Sequence, residues 1–363
     1  MKKLSVGIIF GGKSSEHEVS LQSAKNIIEA IDRNRFDITL IGIDKQGQWF
    51  LRDLNRFLEN AEDPRHISLA ASVRPLALQP GHLQQPFFES AQQQQLNQLD
   101  VIFPIIHGTL GEDGSLQGLL AFANLPYVGS AVLGSAVCMD KDLCKRLLMQ
   151  AGIAVAPYIA VKAVADEAAL FEQASTQLGL PLFIKPASQG SSVGVSKVTN
   201  AAEFSAGLAL AFRYDRKVLI EQAIVGREIE CAILGNDQPQ ASVCGEVLTQ
   251  DQFYSYDAKY IDGQSRTVVP AEMPKEIEAQ IQAVALRTFA VLECEGLARV
   301  DVFLTPDNQI VVNEVNTLPG FTNISMYPQL WQASGLNYSD LISNLIDLAL
   351  QRHQLNASKQ HVL

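Results

Sequence analysis

The stretch Val311–Phe321, VVNEVNTLPGF, places an acid and an amide two residues apart at the end of an apolar run. In a strand, residues i and i+2 point the same way. Ile310 and Val312 are therefore expected to share a face with Glu314 and Asn316, so that this face turns from apolar to oxygen-rich. An uncompensated buried carboxylate is expensive. Glu314 must find a basic side chain, a set of backbone donors or a cation.

The preceding segment, LARVDVFL (297–304), alternates, with Arg299, Asp301 and Phe303 on one face and Val300 and Val302 on the other. A turn centred on Asp307 and Asn308 sets Asp301 opposite Glu314, and their side chains then emerge together. A slip of one residue would separate them. In the first register, two carboxylates and the Asn316 amide oxygen converge, a hard-oxygen set suited to Mg²⁺. A carboxylate shared between two ions roughly 4 Å apart is typical of phosphoryl-transfer sites. The competing reading is an Arg299–Asp301 pair, or a Glu314–arginine pair, that only fixes the strands. The D…E-x-N pattern alone does not decide between them.

KPASQGSSVGVSKV (185–198) lacks the Walker A spacing and is followed by a strand rather than a helix. It has the strand–loop–strand form of a glycine-rich phosphate cover. Backbone N–H groups, Ser191 and Ser192 would be the donors, with Lys185 on the incoming strand. An ordinary hairpin with a surface lysine fits the same letters. In EQAIVGRE (221–228), Glu221 is expected to end one strand and Glu228 to begin its partner across Gly226. Strand ends beside Ala223 and Ile224 could meet an adenine edge, and a nearby carboxylate could take ribose hydroxyls.

At 363 residues the chain is too long for one ordinary core. Its 47% hydrophobic and 18% charged residues are those of a globular protein. A net charge of −11 argues against a nucleic-acid surface, which needs clustered Lys and Arg. No apolar run approaches a membrane span, and MKKLSVGIIFGG runs into GKSSEHE with no cleavage pattern, so it reads as a first strand. Cys138, Cys144, Cys231, Cys244 and Cys294 show no ligand spacing and read as core thiols of a reducing, cytoplasmic compartment.

KLSVGIIFGG, a helix capped by Ser14 or Ser15, and FDITLIGID suggest a βαβ start and a parallel sheet. Residues 52–98 lose periodicity, and the QQQQ at 92–95 lies in a polar loop. DVIFPIIHG is a strand, CMDKDLCKRLLMQAG a helix closed by Gly152, and EIEAQIQAVALRTFAVL a later helix. The aperiodic segment 245–268 is expected to be a lid. The expected divisions are 1–130, 131–222 and 223–363.

Taken together, GGKSSEHEVSLQSA, HGTLGEDGSLQG, MDKDLCK, KPASQGSSVGVSK, EQAIVGREIE, DAKY, ARVDVF and NEVNTLPGFTNISMYP resemble, over nearly the full length, the D-alanine:D-alanine ligases of the ATP-grasp superfamily. The resemblance implies an α/β ATP-grasp fold, an N-terminal parallel α/β domain followed by two α+β domains clasping ATP. It implies ligation of two D-alanine molecules through a D-alanyl phosphate for peptidoglycan synthesis. D-alanine, ATP and two Mg²⁺ ions, with Mn²⁺ as a substitute, are the implied ligands, and a homodimer the implied assembly.

Carried over by position, Asp301, Glu314 and Asn316 are the metal ligands, and Lys141 and Lys185 the phosphate lysines. Glu221, Ile224 and Glu228 meet adenine and ribose, and Lys259 is the lid lysine. Arg299 and the Gly320 N–H stabilise an oxyanion, and Ser325 holds the second substrate's carboxylate. Glu16 binds the first ammonium with His107 close by, and Glu16, Ser191 and Tyr260 form one hydrogen-bonded chain. Tyr260, rather than Phe, speaks for an amine over a hydroxy-acid acceptor. A dehydrogenase reading fails because GGKSSEHE lacks the third glycine of G-x-G-x-x-G.

Overall fold

The computed structural model of the chain describes residues 2–79, 81–82, 85–248, 266–322 and 324–359. The first unit begins with β1 (Leu4–Gly11), α1 (His17–Ala30), β2 (Phe36–Ile43) and β3 (Trp49–Arg52). Short strands β4 (Leu58–Glu59), β5 (Ser68–Leu69), β6 (Leu76–Leu78), β7 (Phe87–Glu89) and β8 (Gln94–Gln95) occupy the region without periodicity. They form a two-stranded and a three-stranded sheet of their own. Then follow β9 (Val101–Ile105) and α2 (Ser115–Phe122).

β1 lies between β2 and β9, parallel to both, and β3 closes the edge antiparallel, giving the order β3-β2-β1-β9. Val6, Ile8, Ile9 and Phe10 are all fully buried. That continuous apolar run is what a parallel strand covered on both faces requires.

Next come α3 (Val132–Met139), α4 (Lys141–Gln150), β10 (Tyr158–Val161), α5 (Glu167–Leu178), β11 (Leu182–Pro186), β12 (Ser196–Val198), α6 (Ala201–Ala211) and β13 (Val218–Gln222). The expected helix over CMDKDLCKRLLMQAG is two helices. Asp140 separates them, its carboxylate accepting from Asp142 N and Leu143 N as the N-cap of α4. An aspartate with β-region backbone starts a helix more readily than it continues one. The four strands form an antiparallel sheet, order β10-β13-β11-β12, packed on α5 and α6 around their own apolar core.

The chain ends with β14 (Arg227–Gly235), β15 (Gln240–Leu248), β16 (Arg266–Val268), α7 (Lys275–Val291), β17 (Gly296–Leu304), β18 (Ile310–Asn316), α8 (Met326–Ala333) and α9 (Tyr338–Ala357). Their sheet is antiparallel, order β16-β15-β14-β17-β18. The segments on either side of Gly226 do not pair with each other as expected. β13 belongs to the middle sheet and β14 to the last, so residues 223–226 are a crossing between sheets. Of the expected lid, 245–248 and 266–268 are strand, and the rest, with Lys259 and Tyr260, lies outside the described residues.

One apolar core joins the first sheet to the helices behind the last, through Phe103, Phe321, Tyr327 and Leu341 among others. Arg352 of α9 reinforces this joint by donating to the carbonyls of Tyr127, at 2.8 Å, and Gly129. The middle sheet contributes nothing to that core. The molecule is thus a welded first-and-last body with a separately cored middle unit beside it. Among the described residues no helix is long and apolar enough to cross a membrane, and all five cysteines are free and buried.

Candidate active site

The β17–β18 hairpin sets the chemistry. Asp301 pairs with Glu314 and Arg299 with Asn316, as the sequence suggests, but by another route. Leu304 pairs with Ile310 and Val302 with Val312, so the turn spans Thr305–Gln309 and centres on Asp307, half a residue before the expected centre. A bulge between Asp301 and Val302, with Asn313 as the extra residue, restores the Asp301–Glu314 pairing. A bulge breaks strict alternation. Ile310 and Val312 therefore sit with Leu304 and Val302 in the core packed on α7, opposite the face carrying Glu314 and Asn316. The expectation that all four share a face is overturned.

On the polar face, Arg299 forks onto Asp301, Nε donating to Oδ1 and Nη2 to Oδ2, both at 2.7 Å. Glu230 of β14 approaches Arg299 Nε at 2.8 Å. Burial alone would lower the Arg299 pKa, but Asp301 and Glu230 hold it well above its ordinary value. Asn316 Nδ2 donates to Asp301 Oδ2 at 3.0 Å. The strand-fixing ion pair and the converging oxygens thus occur together. Among the described residues there is no group of three or more His, Cys, Asp or Glu placed to hold a metal. The donor set here is two carboxylates and one amide, all hard oxygen ligands, with no competing imidazole or thiolate. It fits Mg²⁺ or Mn²⁺ by chemistry.

Glu314 also lines a cleft of about 640 Å³ between the middle and last sheets. Lys141, Lys185, Ser192, Ile224 and Glu228 line it too. Lys141, the first residue of α4, donates to Gln189 O at 2.6 Å and stands 3.9 Å from Glu314. Burial, with Lys185 adding to it, lowers the Lys141 pKa, and Glu314 opposes the shift. Lys185 lies 2.6 Å from Glu221, and Lys145, which sequence reasoning did not single out, 3.1 Å from it. Burial works to raise the Glu221 pKa, yet Lys185 and Lys145 hold it below the usual carboxylate range. Lys145 was missed although it closes the quoted MDKDLCK. It sits one turn along α4 from Lys141, and that i,i+4 spacing was its signal.

In the glycine-rich loop, Ser191 and Ser192 adopt φ of 49° and 59°, a left-handed backbone that non-glycine residues enter only when the surroundings impose it. Ser191 does not face the cleft. Its hydroxyl donates to Glu16 Oε1, which binds the middle unit to the first. Glu16 itself ends the turn before α1 and is buried. Neither Ser14 nor Ser15 caps that helix: Ser14 Oγ accepts from Glu16 N at 3.0 Å and donates to His107 O at 2.7 Å. The serine shapes the acid's loop instead.

Two further groups surround Glu16. Glu112 accepts from Gly108 N at 2.6 Å, and burial reinforced by the Glu16 charge pushes its carboxyl up to about 8. The clue was the GEDG that follows HGTL, an acid in a glycine turn beside a strand end. His107 lies below its usual pKa because it is buried, against the opposing influence of Glu16 and the Leu318 carbonyl. Beyond Gly320, which is partly exposed, Ser325 is the N-cap of α8. Its Oγ accepts from Thr322 N at 3.0 Å. A helix N-terminus is a natural carboxylate site.

Two family models match the sequence, the D-ala D-ala ligase N-terminus over residues 5–130 and the D-ala D-ala ligase C-terminus over residues 147–347. The chain belongs to the D-alanine–D-alanine ligase family. It is 60% identical over 357 residues to D-alanine–D-alanine ligase A of Salmonella typhimurium, covering 98% of each chain. It is 61% identical over 355 residues to the D-alanine–D-alanine ligase of Shouchella clausii, covering 98% of this chain and 96% of that one. Its structure is similar to that of the D-alanine–D-alanine ligase from Coxiella burnetii, with a TM-score of 0.84, 39% identity and coverage of 98% and 97%. The VanG D-Ala:D-Ser ligase from Enterococcus faecalis is comparably similar, at TM-score 0.84 and 38% identity, covering 96% of this chain and all of that one. For a ligase of this family, the structure gathers Asp301, Glu314, Asn316, Arg299 and Glu230 into one cluster on the last sheet. Lys141, Lys185, Lys145 and Glu221 form a second group, and Glu16, Ser191, Glu112 and His107 a third.

Proposed function

We propose that the chain is an ATP-dependent ligase that joins two D-alanine molecules into D-alanyl-D-alanine through a D-alanyl phosphate, supplying peptidoglycan precursors in the cytoplasm. The reading divides the chain at about residues 130 and 222, with ATP in the cleft between the second and third parts. The observation that carries it is the Glu16–Ser191 contact. It joins the acid that would hold an ammonium to the loop that would cover the phosphates.

In the first step, a carboxylate oxygen of the first D-alanine attacks the γ-phosphorus of ATP and ADP departs. Lys141 and Lys185, facing the cleft, would hold the phosphates, and Ser192 and the loop amides would cap them. Glu221, Ile224 and Glu228 would seat adenine and ribose. Asp301, Glu314 and Asn316 would hold Mg²⁺, or Mn²⁺ in its place; when bound, the metal supplies neutralisation of phosphate charge. Arg299 already pairs with Asp301 and Glu230, which offsets part of the repulsion between their carboxylates.

In the second step, the free amine of the second D-alanine attacks the acyl carbonyl, and the carbon–oxygen bond to phosphate breaks. The amine's surplus proton leaves with phosphate or solvent. Glu16 would hold the first ammonium, and Ser325 at the head of α8 would hold the second carboxylate. Arg299 and the Gly320 N–H would receive the charge that develops on the carbonyl oxygen. Lys259 and Tyr260 would complete the enclosure that keeps water from the acyl phosphate. A homodimer is the proposed assembly.

The test is phosphate release with ATP and Mg²⁺ over a panel of D- and L-amino acids, with D-serine and D-lactate as alternative acceptors. D-Alanine alone should support rapid release, with one dipeptide formed per phosphate. Release that does not depend on D-alanine, or NADH consumption instead, would overturn the reading.

A further inference from the structure

The turn Leu318–Phe321, which carries Gly320, is held at both ends by residues from the first unit. His107 Nδ1 is 3.0 Å from Leu318 O. A carbonyl only accepts, so Nδ1 carries the proton. In a neutral ring Nε2 is then an acceptor, and it lies 3.0 Å from Ser23 Oγ. Ser23 must donate there, which leaves its oxygen free to accept, and Phe321 N–H donates to it at 3.2 Å. With His107 neutral, the state its burial favours, each proton has one place.

Ser23 is fully buried on α1 and His107 is 3% exposed. The two ends of the turn are also its apolar anchors, since Leu318 is 3% exposed and Phe321 fully buried. Phe321 packs between the rings of Phe103, Tyr327 and Tyr338, and the Tyr338 hydroxyl donates to Phe321 O. Between these fixed points only Pro319 and Gly320 remain, a span too short to move independently. Fixing Leu318 O and Phe321 N fixes both ends of the turn and, with the Pro319 ring holding its φ, restricts the directions open to the Gly320 N–H.

We infer that Ser23 and His107 are positioning residues that clamp the Leu318–Phe321 turn across the first-to-last joint and so aim the Gly320 N–H at the reacting carbonyl and the adjoining Ser325 at the acceptor. His107 then acts through the turn, with both ring nitrogens occupied, rather than on the first substrate. The inference rests on the roles proposed above for Gly320 and Ser325.

The experiment is initial-rate kinetics resolved into ATP, donor D-alanine and acceptor D-alanine constants, for Ser23→Ala, His107→Ala and the double variant. Ser23→Ala should raise the acceptor constant roughly tenfold, as loss of a buried hydrogen bond implies, lower kcat through the misdirected Gly320 N–H, and leave the ATP and donor constants within twofold. Because one clamp needs both members, the double variant should resemble either single one rather than multiply their effects. If Ser23→Ala does not fold, Ser23→Thr and Ser23→Val share a shape and differ only in the hydroxyl, so the threonine variant alone should keep a low acceptor constant. An unchanged acceptor constant, equal rises in all three constants, multiplicative effects or equal behaviour of Thr and Val would overturn the clamp. Absence of dipeptide from the wild-type protein would instead overturn the function on which it rests.

Discussion

Arg299→Met tests whether one guanidinium holds the carboxylates of the last sheet together. The arginine makes two 2.7 Å bonds to Asp301 and stands 2.8 Å from Glu230. Methionine keeps much of the bulk and removes the charge, leaving two poorly solvated acids facing one another with Glu314 nearby. Breaking a buried ion pair by removing one partner costs about 3–5 kcal/mol. Unfolding entropy of roughly 2.1 cal/mol/K per residue gives ~0.8 kcal/mol/K for a chain of this size, so Tm should fall by about 4–7 °C if the body melts as one. Two conditions should return part of the loss. Acid should, because protonation removes the repulsion between the crowded carboxylates. Mg²⁺ should also, by about 1.4 kcal/mol at tenfold its Kd, and more in the variant than in wild type if Asp301 and Glu314 bind it. Thermal melts in EDTA and in Mg²⁺, at pH 5 and pH 8, read all of this without any turnover. A variant melting within 1 °C of wild type in EDTA would refute the charge-lock argument. Equal Mg²⁺ stabilisation of both proteins would remove Asp301 from the metal site.

Other perturbations follow from the same geometry. Glu314→Gln should abolish ligation, by a factor of a thousand or more in kcat, with Tm nearly unchanged; surviving Mg²⁺-dependent turnover would contradict it. Glu112→Gln concerns pH. A carboxyl raised from 4.5 to about 8 contributes stability that is fully present below 4.5 and lost as pH rises through about 8. The glutamine variant should therefore match wild type near pH 5 and exceed it by a few kcal/mol near pH 9 in urea melts, and parallel pH profiles would count against it. Deleting Asn313 should leave Asp301 opposite Glu314, because the bulge residue is the one without a ladder partner. Stability should change by no more than about 2 kcal/mol, and an unfolded deletion protein on circular dichroism would show the register argument to be mistaken.

How far the sequence could be read depended on the range of the forces involved. β1, β2, β9, α1 and α7 announce themselves because burial of a whole face imposes a period on the letters. Turn chemistry was harder. Asp140 reads as one more polar residue of an amphipathic helix, and only its φ and ψ reveal that it starts a new one. Ser14 matches a cap by position, yet its hydroxyl is spent on His107 O and Glu16 N. The strands around Gly226 look like a hairpin because a short glycine link favours one. The last sheet offers β14 two antiparallel neighbours, β15 and β17, and the middle sheet offers β13 the same in β10 and β11. Pairing energy is decided by partners that the local letters do not contain.

The hairpin at the centre of the site shows how a correct pairing can be reached from an incorrect premise. Alternation assigned Ile310, Val312, Glu314 and Asn316 to one face, and a two-residue turn put Glu314 opposite Asp301. The actual turn is longer, and Asn313 is bulged. The two departures cancel for the acid and the amide but not for the aliphatic residues, which keep the core face. A fully regular hairpin with the shorter turn would have carried Val312 onto the polar face, away from the core that receives it at 0% exposure. The bulge is thus what lets one strand serve both a hydrophobic layer and an oxygen-rich site within three residues. Of the contacts between units, Ser191 on Glu16, 175 residues apart, was implied by the family resemblance, whereas Ser23 on Phe321, 298 residues apart, had no signal in the sequence. Both join segments far apart in the chain, and both involve a serine whose single hydroxyl reads locally as a helix or turn residue. Where a site is assembled across domains, the residues that perform the chemistry can be named from their own segments, whereas the residues that hold those segments in register become visible only once the units have packed.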